Sequence, residues 1–307
     1  MDRHDLSDEE WKRLEPLLPR NPGRGGRWAD HRRTINGVFW RTRTGCPWRD
    51  LPEQYGKWQT IYKRHRRWSR DGTWATVLDG LRAGCDEAEG KDWTVSADST
   101  IARAHQHAAG APHEPAKDDP ARDRPAGAAS NHKNPVKNRE GLGRSRGGLT
   151  TKIHLVADRR CRPVTRLTSP GQHGDSPRFI PLMESLRIPR RGRGRPRKRP
   201  GRAMGDKAYS SKVNRAYLRR HGIQAVIPVK EDQKANRLKR GSAGGRPPNF
   251  DAEWYKKRNT VERCFNKLRQ FRAVATRFDK RERIYQGTID IASIKIWLRD
   301  PVRRSRT

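Results

Sequence analysis

The chain has 307 residues, with 70 Lys plus Arg against 34 Asp plus Glu, a formal net charge of +36. An excess that runs through the whole chain points to a polyanionic partner, phosphate backbones foremost. No apolar run reaches the length of a membrane span, MDRHDLSDEEW at the start has no apolar signal core, and Cys46, Cys85, Cys161 and Cys264 lie too far apart for a zinc site or a disulfide framework.

Seven of the ten tryptophans fall within residues 11–74, which predicts a helical unit with its own aromatic core over residues 1–88. Ser7 followed by Glu10 is a capping box for a helix over DEEWKRLEPLL, with Trp11, Leu14, Leu17 and Leu18 at helical spacing. Asp30 caps a second helix, HRRTINGVFWRTRTG, which stops near Gly45, and WRDLP follows as a turn. In KWQTIYKRHRRWSRDG, Trp58, Ile61, Tyr62, His65 and Trp68 repeat on one face, and Lys63, Arg64, Arg66, Arg67 and Arg70 fall largely around the other. A helix over 73–83 closes the unit. Short helices, one strongly basic, suit a helix-turn-helix-like DNA binder that touches phosphates more than base edges. The alternative is a solvated basic helix that contacts no base.

WTVSAD, residues 93–98, reads as a strand ending at Asp98 and opens a second unit over 89–300. HQH at 105–107 places His105 and His107 together, for DNA contact or a structural role before a metal. Residues 108–148 hold only Val136 and Leu142 as large aliphatics, cannot bury a core, and are expected to form a mobile insert. LTTKIHLVAD and CRPVTRLTS predict a hairpin at about 149–168. Asp175 caps SPRFIPLMESL, with Pro177 in its first turn. PRRGRGRPRKRPGR, 189–202, has eight basic residues and no acid. Its Arg193, Arg195 and Arg197 either enter a narrow minor groove as a hook or touch phosphates as a simple loop, ordered only on DNA. RAMGD is a short strand ending at Asp206, SSKVNRAYLRRHG a helix, and IQAVIPV a strand. A basic Gly-rich loop, 231–249, leads to the helix carrying Glu262. The apolar helix TIDIASIKIWL then precedes a basic tail, 301–307. This order describes a mixed α/β sheet domain.

Three acids stand out. Asp98 and Asp206 end strands, where sites gather in open α/β sheets, though each could serve only to cap a turn. Glu262 is the one acid among seven cations in KKRNTVERCFNKLRQFR. On a helical wheel it shares a face with Tyr255, Arg258 and Arg269, at the edge of the stripe Val261, Cys264, Phe265, Leu268 and Phe271. An ion pair with Arg258, four residues away, would account for it as well. Three such oxygen donors in a basic chain suit Mg²⁺ and in-line phosphoryl displacement.

In four blocks the sequence resembles the DDE transposases of bacterial insertion sequences, most like insertion sequence family five. VSADSTIARAHQHAAGA resembles the block of the first aspartate, GGLTTKIHLVAD the next strand, and MGDKAYSS the block of the second aspartate. YKKRNTVERCFNKLRQFRAVATRFDK resembles the Y-x-x-R-x-x-x-E signature. The likeness covers nearly the whole chain and implies an RNase H-like catalytic domain behind an all-α N-terminal unit. It carries the catalytic, metal-holding acids onto Asp98, Asp206 and Glu262, and the signature tyrosine and arginine onto Tyr255 and Arg258. Where the signature ends in lysine this chain has Arg269, which with Lys267 is expected on DNA. The resemblance implies two Mg²⁺ ions, replaceable by Mn²⁺, terminal inverted repeats and target DNA as partners, a homodimer on DNA, and a cytoplasmic, nucleoid-associated site of action. A nuclease of the same fold without strand transfer, or an inactive descendant that only binds DNA, would share these features in part.

Overall fold

The computed structural model describes residues 4–20, 28–111 and 140–302. The expected tail beyond Val302 and residues 112–139 of the expected insert lie outside the described residues.

Local signals set the helix ends of the N-terminal unit. Ser7 Oγ accepts from the Glu10 amide at 3.2 Å, and Glu10 Oε2 accepts from the Ser7 amide at 3.1 Å, opening α1 (Asp8–Leu14). This helix is shorter than expected. Pro16 has no N–H to extend it, and the chain tightens into a 3-10 turn over Glu15–Leu17. Asp30 Oδ1 caps α2 (His31–Thr44) through the Arg33 amide at 2.6 Å, and Gly45 at φ +71° ends it. α3 (Trp58–Arg70) and α4 (Thr73–Arg82) complete the unit. Ile61, His65 and Trp68 of α3 are buried as expected, whereas Trp58 and Tyr62 are only half-buried. Arg64 corrects the expected basic face, because it too is buried. Its guanidinium lies 4.4 Å from the Trp28 ring centroid and 5.1 Å from that of Trp68, and Nη1 is 2.8 Å from His31 Nδ1. Two aromatic faces and an imidazole compensate the buried charge.

β1 (Thr94–Ala104) is the centre of the sheet. It runs antiparallel to β3 (Gly148–Ala157), which pairs with β4 (Pro163–Pro170) in the expected hairpin. On its other edge β1 runs parallel to β5 (Arg202–Met204), and β5 to β6 (Gln224–Val226). The order β4-β3-β1-β5-β6, antiparallel then parallel, is the RNase H-like sheet. β2 (Gly143–Ser145) extends the β4 edge of β3, and β7 (Thr276–Arg277) pairs with the last residues of β1. Around these strands lie α5 (Gln106–Ala109), α6 (Ser176–Glu184), α7 (Lys212–Arg220), α8 (Glu231–Lys239), α9 (Ala252–Lys256), α10 (Asn259–Arg269), α11 (Arg272–Ala275) and α12 (Glu282–Arg299).

Several expectations need correction. β1 does not end at Asp98. It continues six residues further, because β3 supplies hydrogen-bond partners along this length. The insert is built at both flanks: Ala108 and Leu142 are buried, β2 pairs with β3, and Glu140 Oε2 accepts from the Glu282 amide at 2.7 Å, capping α12. Residues 231–249 are not wholly a loop. EDQKANRLK has no Gly or Pro, acids in its first turn and bases in its last, and forms α8. The helix of Glu262 is two helices, α9 and α10, jointed at Lys257 and Arg258, so the single wheel through Tyr255 does not hold. The 189–202 loop is pinned within the protein by an Ile188–Arg197 bridge and by Asp86, which takes both Arg190 and Arg197.

α12 is apolar almost all round, as befits a helix between two layers. Ile291, Ile294, Trp297 and Leu298 join one core with Leu6, Leu14, Trp68, Trp74 and Val77 of the N-terminal helices. Tyr285, Ile289, Ala292 and Ile296 join another with Val261, Cys264, Phe265 and Leu268 of α10. The contact is close: a Cβ added to Gly287 would meet Ser69 Oγ at 2.0 Å. The helical unit therefore shares its core with the sheet domain. Among the described residues no helix is long and apolar enough to cross a membrane.

His65 lies in this shared core, with Trp74 Nε1 donating to its Nδ1 at 3.2 Å. Burial pushes its pKa down to about 4 against an ordinary 6.5, with Arg41 adding to the effect and Asp279 opposing it. The folded state therefore binds fewer protons than the unfolded chain between those values. Stability from the neutral ring is complete above about 6.5 and is lost as pH falls towards about 4, roughly 3 kcal/mol in all. Urea midpoints at pH 7 and pH 4 should fall less in His65→Gln than in wild type. An equal fall in both would remove His65 as the cause.

Candidate active site

The parallel pairing of β1 with β5 ends at Ser96 opposite Met204, and β7 joins β1 only at Arg103. Asp98 therefore lies in the middle of a long strand but beside a gap in the sheet. Alternation along β1 sends Ser96, Asp98 and Thr100 to the α10 side, where Ser96 Oγ is 2.9 Å from Thr260 Oγ1 and Thr100 Oγ1 accepts from Arg269. Ser99 turns to the α6 side and donates to Asp175 Oδ1 at 2.6 Å.

Arg258, at the joint between α9 and α10, unites two of the acids. Its Nη1 donates to Asp98 Oδ2 at 3.2 Å and its Nη2 to Glu262 Oε1 at 2.5 Å. Asp98 Oδ1 also accepts from the Ser99 amide at 2.8 Å. The Asp98 side chain is 22 % exposed and that of Glu262 48 %. Asp206 follows β5 and accepts from the Ala208 amide at 2.8 Å, so it also serves as the turn cap that sequence alone allowed. Burial raises the pKa of Asp98; the Ser99 amide and Arg258 oppose the rise, and Asp206 adds to it. Burial first, then the charges of Asp175, Asp98 and Asp206, push the Tyr209 phenol far above its usual range. Arg258 thus links Asp98 with Glu262, and the charge of Asp206 acts on Asp98.

Among the described residues no three His, Cys, Asp or Glu side chains stand close enough to hold one metal ion as they are. The donor chemistry nonetheless fits a hard divalent cation, because all three groups offer carboxylate oxygen. The guanidinium of Arg258 is itself a cation shared by Asp98 and Glu262.

Asp175 is the acid that sequence reading assigned to another task. It begins α6 but caps nothing with its side chain. Instead its Oδ1 accepts from Ser99 and from Lys152 Nζ at 3.1 Å, behind Asp98. Local sequence held no sign of this, because the partners come from two other strands.

The expected DNA-contacting residues divide. Lys63, Arg66, Arg67, Arg70, Arg193, Arg195 and Arg269 are exposed. Arg197 is held by Asp86 at 3.1 Å, by Gly90 O at 2.6 Å and over the Trp93 ring, so it is a structural tie. Lys267 donates to Arg160 O at 3.1 Å. Tyr255 is half-buried, packs at a tilt against Phe250 and lies 5.7 Å from the Arg258 guanidinium. His105 and His107 sit at the far end of β1, with ring centroids 4.5 Å apart and Phe278 beside His105. Seven residues at about 3.3 Å each place His105 roughly 23 Å along the chain from Asp98.

Residues 6–78 match the family described as putative transposase of IS4/5 family, and residues 89–289 match the transposase DDE domain. An uncharacterised protein of Sinorhizobium fredii is 38 % identical over 112 residues, 36 % of this chain and 86 % of its own. The putative transposase for insertion sequence element IS6501 of Brucella ovis is 28 % identical over 151 residues, 49 % of this chain and all of its own. The putative transposase for insertion sequence element IS402 of Burkholderia cepacia is 30 % identical over 135 residues, 44 % of this chain and 56 % of its own. With the DDE domain matched over well more than half of its length, behind the matching N-terminal segment, the chain belongs to the DDE transposases of the IS4/5 family, enzymes that cleave and join DNA.

Proposed function

We propose that the chain binds the terminal inverted repeats of an insertion sequence, hydrolyses phosphodiester bonds at the ends, and joins the freed 3′-hydroxyls to target DNA. The observation that carries this reading is the single guanidinium of Arg258 spanning Asp98 on β1 and Glu262 on α10, with Asp206 close enough to act on Asp98. Asp98, Asp206 and Glu262 are the catalytic acids and would hold two Mg²⁺ ions, for which Mn²⁺ can substitute. Bound there, the ions supply nucleophile activation and neutralise charge on the phosphodiester.

The protein's own residues do the rest. Arg258 holds the carboxylates of Asp98 and Glu262 together on one guanidinium. Ser99, anchored by Asp175, presents the amide that fixes Asp98. Arg269, tied to Thr100 two residues beyond Asp98, and Lys267 lie on the same helix as Glu262 and hold the DNA backbone. Within residues 1–88, Lys63, Arg66, Arg67 and Arg70 form the exposed face of α3 that grips phosphates, and Arg193 and Arg195 add contacts from the basic loop. Two ends are brought together by a homodimer formed on DNA, in the cytoplasm and at the nucleoid.

The test is product analysis with a DNA fragment carrying both ends and a supercoiled target. Joined molecules are expected with Mg²⁺. Cleaved ends that never join would establish the nuclease instead, and binding without cleavage the inactive descendant.

A further inference from the structure

A cavity of about 1160 Å³ lies between the N-terminal helices and the far end of β1. Its wall on α3 is a stripe at fourfold spacing, Trp58, Tyr62 and Arg66. His107 and Phe278 face it from the sheet side. Trp58, Tyr62 and Phe278 are half-buried and His107 is exposed, so aromatic surface remains open to a ligand. Arg49, which lies 5.8 Å from the Trp58 ring centroid, and Lys280 line the cavity beside Arg66, and all three are exposed. Among the described residues the one acid lining it is Asp279, which is buried and turned to Thr288 Oγ1 at 2.8 Å.

Aromatic faces interleaved with exposed cations, with no exposed carboxylate among the described lining residues to repel a phosphate, are what an unstacked nucleotide needs. Every base has a π-face to stack, and every phosphate needs a cation. A duplex needs only the cations and makes no use of the aromatic stripe. We propose that this cavity takes unpaired nucleotides of the DNA substrate, with bases stacked on Trp58 and Tyr62 and phosphates on Arg49, Arg66 and Lys280. It lies roughly 23 Å from Asp98 by strand length, about seven base steps of a duplex strand, so it is a second contact distinct from the acids. The inference rests on DNA being the substrate.

Three fluorescein-labelled probes test it on the full chain by anisotropy: a plain duplex, the duplex with a short single-stranded thymidine tail, and the duplex with an abasic tail of equal length. Equal phosphate counts in the two tails remove the bulk effect of the basic chain. Wild type should bind the thymidine tail more tightly than the abasic tail by roughly tenfold, the worth of one stacked base. Trp58→Ala and Tyr62→Ala should lose this preference and keep plain-duplex affinity, while Trp58→Phe retains most of it. Arg49→Ala should weaken both tails alike. Equal binding of the two tails by wild type, or a preference that persists in both alanine variants, would overturn the proposal. If Trp58→Ala also loses the duplex, Trp58→Phe decides: a kept preference supports the stack, and loss of duplex binding there too makes Trp58 structural and overturns it. Failure of wild type to bind the plain duplex would count against the DNA reading itself.

Discussion

Glu262→Gln, Asp98→Asn and Asp206→Asn are each expected to lower end cleavage by about a thousandfold or more, the result of losing several kcal/mol of charge stabilisation at about 1.4 kcal/mol per tenfold. Glutamine keeps the shape of Glu262 and can still accept from Arg258, so only the charge is removed. The structural cost is small, because the Glu262 side chain is 48 % exposed and a pair at such a surface contributes about 1 kcal/mol or less. Asp98 is more enclosed and accepts from both the Ser99 amide and Arg258, so asparagine rather than alanine is the informative replacement there. DNA binding should hold or tighten in all three variants, since each removes a negative charge beside the phosphates. Nicking and gel-shift measurements on the same preparations separate the two effects. A variant that keeps a tenth or more of wild-type cleavage takes its residue out of the site.

Residues whose role is settled by neighbours in sequence were legible before the fold was known. Ser7 with Glu10, Asp30 with Arg33, and Gly45 each satisfy backbone groups within one helical turn, and each does so in the structure. The hairpin β3–β4 was legible for the same reason, since alternation and a short turn fix its register. Asp98, Asp206 and Glu262 came from their placement at strand ends and on a helix face and from the family resemblance, and the structure ties Asp98 to Glu262 through Arg258. What sequence could not supply were partners from distant elements. Arg64 fell on the basic side of its helix, yet Trp28 crosses from another segment to cover it. Arg197 read as one of eight free cations until Asp86, more than a hundred residues earlier, closed on it. Asp175 carried every mark of a cap, and lost that role because Ser99 and Lys152 compete more strongly for its carboxylate.

Residues 1–88 expressed alone are expected to give no cooperative unfolding transition, although their sequence reads as a self-contained unit. The missing part is α12. Ile291, Ile294, Trp297 and Leu298 are buried in the same core as Leu6, Leu14, Trp68, Trp74 and Val77. Burying four such side chains contributes roughly 6–12 kcal/mol, as large as the whole stability of a small domain. Polar ties would be lost as well. Lys295 Nζ meets Glu10 Oε2 at 2.6 Å and Asp5 O at 3.1 Å, and Arg13 Nη2 donates to Leu298 O at 2.7 Å. Without Lys295, Glu10, 7 % exposed in the full chain, must take up water where α12 lay. The fragment should keep helical circular dichroism, melt over a broad range and bind a hydrophobic dye. Joining residues 282–302 to it through a flexible linker should restore a sharp melt, since the restored helix again covers the open core. A fragment of residues 1–88 that melts as sharply as the full chain, within a few degrees of the same midpoint, would show that the helical unit stands alone and that α12 is merely docked against it.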